Sequence, residues 1–318
     1  MKAFITGISG FAGSFLAEEL LKSSENKVYG TYLTKDSLER VPEIKDKIEG
    51  FELDLLDFQK TQDVITQIKP DVVFHLAALT SPSESFDKPS EVITNNINAE
   101  LSVFEGVRKA GLTECRILIT SSAEIYGIVP PANLPIREDT SLMPATPYAV
   151  SKIAQDYLGL QYFISYKLNI IRIRPFNHIG PRQAPVFVVS SFAKKIAEIE
   201  KGLREPILPV GNLESKRDFT DVRDMVRAYI LLAEKGTPGE AYNIGSGISH
   251  KISNVLDKML SLSQVKIEVS VDKTLLRPSD NPDLYSDNSK IQKETGWAPQ
   301  IPLEISLKDT LDYWRKIV

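Results

Sequence analysis

Seven residues near the N-terminus constrain this chain more than any others. Gly7-Ile8-Ser9-Gly10-Phe11-Ala12-Gly13 follows the apolar run Lys2-Ala3-Phe4-Ile5-Thr6. It precedes Phe15, Leu16 and Leu20, which recur with helical period. A strand therefore turns into a helix across three glycines set three residues apart. So tight a turn needs backbone conformations open to glycine, and a pyrophosphate laid against the main chain excludes a Cβ. The helix start offers free N–H groups and the positive end of its dipole. Gly7, Ser9, Gly10, Phe11, Ala12 and Gly13 are therefore expected to cradle a dinucleotide.

The rest of the first half agrees. Apolar strand patterns at 2–6, 28–32, 48–53, 71–77, 116–120 and 169–174 alternate with helical patterns at 11–22, 57–68, 90–110 and 147–165. Asp57 stands where an N-cap belongs, and the helix it opens stops before Pro70. Such alternation predicts right-handed βαβ units in a Rossmann-type, doubly wound parallel sheet. After Pro175 prolines and glycines become frequent. Helices are expected near 187–201 and 221–234, and strands near 207–208, 241–244 and 266–271. The division expected is a dinucleotide-binding domain over 1–174, its sheet completed by about 218–247. A smaller mixed α/β lobe then comprises 175–217 and 248–318.

Composition removes several classes of function. The 318 residues carry a formal charge of −4 with no basic run, which excludes a nucleic-acid partner. No apolar stretch approaches the ~20 residues that span a bilayer. The first residues lack the pattern of a secretory signal. The single cysteine, Cys115, permits no internal disulfide, and a cytoplasmic protein is expected. His75, His178 and His250 are too scattered for a metal site, so none is expected.

The end of the second strand bears on the cofactor. Many dinucleotide sites place Asp or Glu there, bonded to the ribose 2′-OH. Here the run is Gly30-Thr31-Tyr32-Leu33-Thr34-Lys35-Asp36-Ser37. Hydroxyls and Lys35 in place of an acid favour a 2′-phosphate, hence NADP(H). Asp36 keeps NAD(H) open, and Lys35 reads equally well as a solvated surface lysine. After the third strand, Asp54 and Leu55 are placed to meet an adenine, with Asp54 as a turn cap the alternative.

Tyr148-Ala149-Val150-Ser151-Lys152 places a phenol and an ammonium four residues apart, one turn apart on one helical face. A neighbouring cation favours phenolate and is expected to lower the tyrosine pKa. The pair alone is also a common helix-surface neighbourhood.

Together these residues resemble the extended short-chain dehydrogenase/reductase family. The resemblance covers nearly the whole chain. It rests on the glycine turn, His75-Leu76-Ala77-Ala78, Ser121-Ser122-Ala123-Glu124-Ile125-Tyr126-Gly127 and Tyr148-x-x-x-Lys152. It continues through Arg174 to Gln183, Arg217-Asp218-Phe219-x-Asp221-Val222-x-Asp224 and Arg277-Pro278. It implies a catalytic triad of Ser122, Tyr148 and Lys152. Tyr32, Lys35, Asp54, Leu55, Leu76, Ala77 and Ala78 join the glycine turn, Tyr148 and Lys152 around NAD(P). Asn177, Arg217 and Arg277 are implied at the diphosphate of a nucleotide-linked sugar. Val188 and Lys194 are implied near its base, with core packing as the alternative.

Within that family the likeness points to reduction of the C4 ketone of GDP-4-keto-6-deoxy-D-mannose to GDP-D-rhamnose. The carrying residues are Pro175 to Gln183, Ser190 to Ala197, Gly211 to Val222 and Thr295 to Leu303. The alternative is 4,6-dehydration of GDP-mannose, where Glu124 would remove the C5 proton (in a reductase it would bond a sugar hydroxyl or lie idle), or the reaction of another nucleotide-sugar epimerase or dehydratase of the same family. A redox-sensing binding protein is a third reading, opposed by the intact triad. The resemblance also implies a homodimer through the helices at 90–110 and 147–165.

Overall fold

The computed structural model describes residues 1–275 and 281–318; Arg277 lies outside the described residues. The strands in chain order are β1 (Lys2–Thr6), β2 (Lys27–Tyr32), β3 (Glu49–Glu52), β4 (Val72–His75), β5 (Arg116–Thr120) and β6 (Asn169–Pro175). They continue as β7 (Asn177–Ile179), β8 (Ile207–Val210), β9 (Lys216–Asp221), β10 (Ala241–Ile244), β11 (Ser249–Lys251), β12 (Glu268–Val271) and β13 (Asp283–Leu284).

Seven of them form one sheet in the order β10-β6-β5-β4-β1-β2-β3, every neighbouring pair parallel. Alternate side chains leave opposite faces of a strand. Ala3 and Ile5 accordingly join one core while Phe4 joins the other, and Val72 and Phe74 part from Val73 in the same way. Helices Phe11–Leu20 and Val222–Lys235 cover the first face. Helices Phe58–Ile68, Pro89–Lys109 and Pro147–Tyr166 cover the second. Burial on both faces is why these strands read as continuous apolar runs. The strand order reverses between β1 and β4, which opens a crevice at their carboxyl ends.

The helix starts follow local chemistry. Asp57 accepts a 3.0 Å hydrogen bond from the Lys60 amide, as its N-cap position demands. Thr146 caps the helix Pro147–Tyr166 through the Ala149 amide at 3.0 Å, with Pro147 at the first helical position.

The second lobe packs helices Val188–Glu200, Ile252–Ser261 and Leu303–Ile317 around Val189, Phe192, Ile196, Val255, Met259, Leu307 and Leu311. A small sheet, β11-β9-β13 with β7 beside β9, lies next to it. β10 extends the main sheet as expected, whereas β9, whose residues 218–221 belong to the span expected to complete that sheet, pairs in the small one. β7, β11 and β13 are only two or three residues long, too short to impose an alternating pattern. The lobes meet where Arg182 bonds Glu18 at 2.6 Å and lies 3.9 Å over the Phe15 ring. Phe11 and His178 stack at 5.5 Å beside that contact.

Candidate active site

The crevice between the lobes is a cavity of about 700 Å³. One wall is the glycine turn. Gly7 has φ +69°, and a Cβ there would sit 3.1 Å from the Ala77 backbone. A Cβ on Gly13 would stand 2.4 Å from the Gly7 carbonyl oxygen. The loop is therefore drawn so tight that only hydrogens fit, and Gly10 caps the helix with no side-chain bond. That bare helix start fits a pyrophosphate. Gly7, Ser9, Gly10, Phe11, Ala12 and Gly13 all line the cavity, as do Tyr32, Asp54, Leu55, Leu76, Ala77 and Ala78. Asp54 lines the cavity and also accepts the Leu56 amide at 2.9 Å, as a turn cap would.

Lys35 is exposed and does not line the cavity. It opens the short helix Lys35–Glu39, whose Ser37 faces inward instead. Ser37 accepts a hydrogen bond from the Ser9 hydroxyl at 3.1 Å and donates one to the Thr34 carbonyl at 2.6 Å. This hydroxyl bridge joins the glycine turn to the end of β2.

The opposite side of the crevice brings Ser122, Glu124, Tyr148 and Lys152 together on the same cavity. Ser122 ends the segment after β5 and accepts the Glu124 amide at 3.2 Å, capping the single turn Ala123–Tyr126. Tyr148 and Lys152 lie one turn apart on the helix Pro147–Tyr166, with the ammonium 5.9 Å from the phenol ring centroid. The ammonium donates to the Thr120 carbonyl oxygen at 2.8 Å. Ser121 donates to the Lys152 carbonyl at 3.1 Å, so strand end and helix are tied in both directions.

Burial governs the protonation of this group. The Tyr148 phenol is pushed well above its ordinary value by burial; the Ser122 hydroxyl opposes this and the Glu124 carboxylate adds to it. The expected lowering by Lys152 is not found: the phenol is only 7% exposed and its desolvation dominates. Lys152, 3% exposed, is pulled down to about 8 by burial, against the attraction of Glu100. The phenol therefore stands protonated in the crevice with the Lys152 ammonium beside it.

The far end of the cavity belongs to the second lobe. Asn177, Val188 and Arg217 line it. Arg217 is buried and donates to the Lys216 and Asn281 carbonyls, both at 2.7 Å. Lys194 does not line it. Its ammonium lies 5.5 Å over the Trp314 ring and 3.7 Å from Glu198. The cavity is lined from that helix by Val188, Val189, Ser191, Phe192 and Lys195, and Ser191, Phe192 and Lys195 follow Val188 by three, four and seven residues. One residue along a helix turns the side chain by about 100°, so Lys195 enters where Lys194 was expected. Lys195 donates to the Pro209 carbonyl at 3.2 Å, and burial lowers its pKa. Helical phase, counted from Val188, was the available signal. Thr80, Asn95 and Asn212 also line the cavity from loops and a helix edge, where no periodicity points to them.

A family model described as GDP-mannose 4,6 dehydratase matches residues 4–310. A GDP-6-deoxy-D-mannose reductase of Pseudomonas aeruginosa is 33% identical over all of this chain and 98% of its own length. A GDP-mannose 4,6-dehydratase of Vibrio cholerae is 27% identical over 95% of this chain and 90% of its own. Among solved structures, RMD from Pseudomonas aeruginosa complexed with NADPH superposes with a TM-score of 0.88 at 33% identity, covering both chains fully. A UDP-glucose 4-epimerase of Thermus thermophilus complexed with NAD gives 0.87 at 27%, again over both full chains. With a glycine turn, a Ser-Tyr-Lys group and a second lobe arranged around one crevice, the chain belongs to the GDP-mannose 4,6 dehydratase-like family of extended short-chain dehydrogenase/reductases.

Proposed function

We propose that this protein reduces the C4 ketone of GDP-4-keto-6-deoxy-D-mannose to GDP-D-rhamnose. The carrying observation is that Ser122, Tyr148 and Lys152 share one crevice with the glycine turn and Arg217. The likeness to a reductase over both full lengths supports the choice of substrate. Bound NADPH supplies the hydride. The cradle around Gly7 and Gly13 fits its pyrophosphate. The Ser9–Ser37 hydroxyl bridge at the end of β2, with no acid facing the cavity from that strand end, favours the 2′-phosphate form over NAD(H).

In this reading the Ser122 hydroxyl donates to the ketone oxygen and Tyr148 gives that oxygen its proton as charge develops. Lys152 sets the local positive potential and would hold the nicotinamide ribose. Asn177 and Arg217 hold the diphosphate, with Arg217 fixed in place by its two carbonyl partners. Val188 and Lys195 face the nucleotide's far end.

A dehydratase is the second reading. It is favoured by Glu124, which lines the cavity two residues past Ser122. Purified protein given NADPH and the 4-keto sugar nucleotide is expected to oxidise NADPH. The reductase reading fails if the protein instead converts GDP-mannose alone to the 4-keto product and oxidises no NADPH when given that product.

The active form is a homodimer in the cytoplasm. Val150, Tyr157 and Ile164 stand exposed at seven-residue intervals on the helix Pro147–Tyr166, an apolar stripe suited to a second copy. Among the described residues no helix is long and apolar enough to cross a membrane. Light scattering that finds only a 35.5 kDa species would refute the dimer.

A further inference from the structure

The loop that leads from β7 into the helix Val188–Glu200 carries a side chain that the chemistry above does not use. Gln183 is 6% exposed and lines the crevice. Both ends of the residue are held. Its backbone carbonyl accepts the Ser190 hydroxyl at 2.5 Å, and Ser190 in turn accepts the Trp314 indole N–H at 2.9 Å. Its side-chain Nε2 donates to the His178 carbonyl at 2.8 Å. The residue before it, Arg182, has φ +71°, a left-handed conformation uncommon outside glycine. Consecutive side chains therefore part: Arg182 goes to Glu18 and Phe15 at the contact between the lobes, and Gln183 to the crevice.

The bond to His178 decides how the amide is turned. A carbonyl oxygen is met only by the NH2 end, so Oε1 is the end left over. Among the described residues Oε1 is buried and has no hydrogen-bond partner. A buried acceptor without a donor is costly, and one in the wall of a binding crevice points to a ligand that brings the donor. Phosphate oxygens only accept, so the diphosphate is not that ligand. The hexose of the proposed substrate has two donors, the hydroxyls at C2 and C3, because C4 is a ketone and C6 a methyl group. Gln183 is tied to the second lobe through Ser190 and His178, and His178 directly follows Asn177. The acceptor thus stands in the wall assigned above to the diphosphate, to which the hexose is attached.

We propose that Gln183 is a specificity-determining residue whose Oε1 accepts a hydrogen bond from the C2 or C3 hydroxyl of the hexose. This deepens the reductase reading and rests on it for the identity of the sugar. The hexose is then held at three points: its diphosphate by Asn177 and Arg217, its ketone by Ser122 and Tyr148, and one ring hydroxyl by Gln183. Three points fix which face of the ring meets the hydride. A sugar lacking that hydroxyl leaves Oε1 buried and unpaired, and the crevice rejects it.

The test uses the NADPH-bound protein and calorimetric titration with GDP-mannose, its 2-deoxy and 3-deoxy forms, and GDP. Wild type is expected to bind GDP-mannose about tenfold more tightly than one of the two deoxy forms, the worth of one hydrogen bond. Gln183→Met keeps the length of the side chain and removes the amide. It should bind GDP-mannose about tenfold more weakly and lose that discrimination, with affinities for GDP and NADPH within about twofold of wild type. Gln183→Leu should do the same and serves if the thioether variant does not fold. Wild type that binds both deoxy forms as tightly as GDP-mannose, or variants that still discriminate, overturns the proposal. A loss that extends to GDP assigns Oε1 to the nucleotide, and a loss confined to NADPH assigns it to the nicotinamide amide; either result overturns it as well. Wild-type protein that binds GDP-mannose yet reduces no 4-keto sugar sinks the reductase reading instead, and the same titrations still decide Gln183.

Discussion

The Lys152 ammonium donates a 2.8 Å hydrogen bond to the Thr120 carbonyl oxygen, pinning the catalytic helix to the end of β5. Two residues beyond Thr120 the chain presents Ser122. One helical turn before Lys152 it presents Tyr148. This bond, with the Ser121 hydroxyl donating back to the Lys152 carbonyl, fixes the spacing of the three side chains, which come from segments about thirty residues apart in sequence. The position needs a rigid sheet end, and β5 is central to the sheet.

In the proposed reduction Tyr148 is the acid, and burial holds its phenol protonated until the transfer. Tyr148→Phe removes one oxygen and little else. Turnover is expected to fall roughly 100- to 10,000-fold, the usual worth of a positioned acid. NADPH affinity, set by the glycine turn, should stay within a few-fold of wild type. Stopped-flow reduction together with fluorescence titration of NADPH checks both, and unchanged turnover would remove Tyr148 from the mechanism.

Adjacent lysines on the helix Val188–Glu200 should behave oppositely. Lys195→Ala removes a cavity-facing ammonium and is expected to raise KM for the sugar nucleotide about tenfold or more, the worth of one charged hydrogen bond. Lys194→Ala loses only a contact over Trp314 and a half-exposed pair with Glu198, so KM should hold within about twofold. Equal effects at the two positions would mean that the helical phase does not decide binding.

The same pair shows what the sequence carries and where it stops. The main sheet, its helices and the glycine turn were legible because each obeys a local rule: buried parallel strands are apolar throughout, Asp57 stands at an N-cap, and Gly13 admits no Cβ. Ser122, Tyr148 and Lys152 were legible as an ordered pattern, though not their protonation, which depends on desolvation that only a folded cavity creates. Lys195 and Ser37 were missed for a neighbour one or two residues away, because charge type at a strand or helix end does not say which way a side chain points. Thr80, Asn95 and Asn212 had no periodic signal at all. Arg277 lies outside the described residues.

His75 gives a pH-dependent stability with a definite sign. Thr6 Oγ1 accepts the Leu76 and Ala77 amides at 3.1 and 3.2 Å, so its own hydrogen goes to His75 Nδ1 at 2.9 Å. Burial, with Lys152 nearby, lowers the His75 pKa to about 3. The unfolded chain, with an ordinary histidine, binds one more proton than the native chain between about 6.5 and 3. Native stability from this group is therefore present above 6.5 and lost as pH falls through that window. Compared with His75→Asn, wild type should lose about 1.4 kcal/mol per pH unit below 6.5 and nothing relative to it above. Urea unfolding of both proteins at several pH values measures the difference, and parallel curves would contradict it.

Asp156 is the structural keystone behind the site. It is 0% exposed and accepts hydrogen bonds from Arg172 Nη1 at 2.6 Å and from Arg174 Nε and Nη2 at 2.8 and 3.0 Å. Arg174 in turn donates to the Tyr126 hydroxyl and the Glu138 carbonyl, both at 2.9 Å, and Tyr126 donates to Asn243 at 2.7 Å. The network runs from the catalytic helix through β6 to β10 and ends one residue short of Gly127, at the turn that carries Glu124. Asp156→Asn leaves the buried Arg174 without its counter-charge, and removing one partner of such a pair costs about 3–5 kcal/mol. The expected outcome is a large fall in Tm while KM for the sugar nucleotide holds, because Asp156, Arg172, Arg174 and Tyr126 do not line the crevice. Differential scanning calorimetry beside steady-state kinetics below the variant's Tm checks this. An unaltered Tm would show that the two arginines find other partners, and a raised KM at full stability would place Asp156 in binding instead.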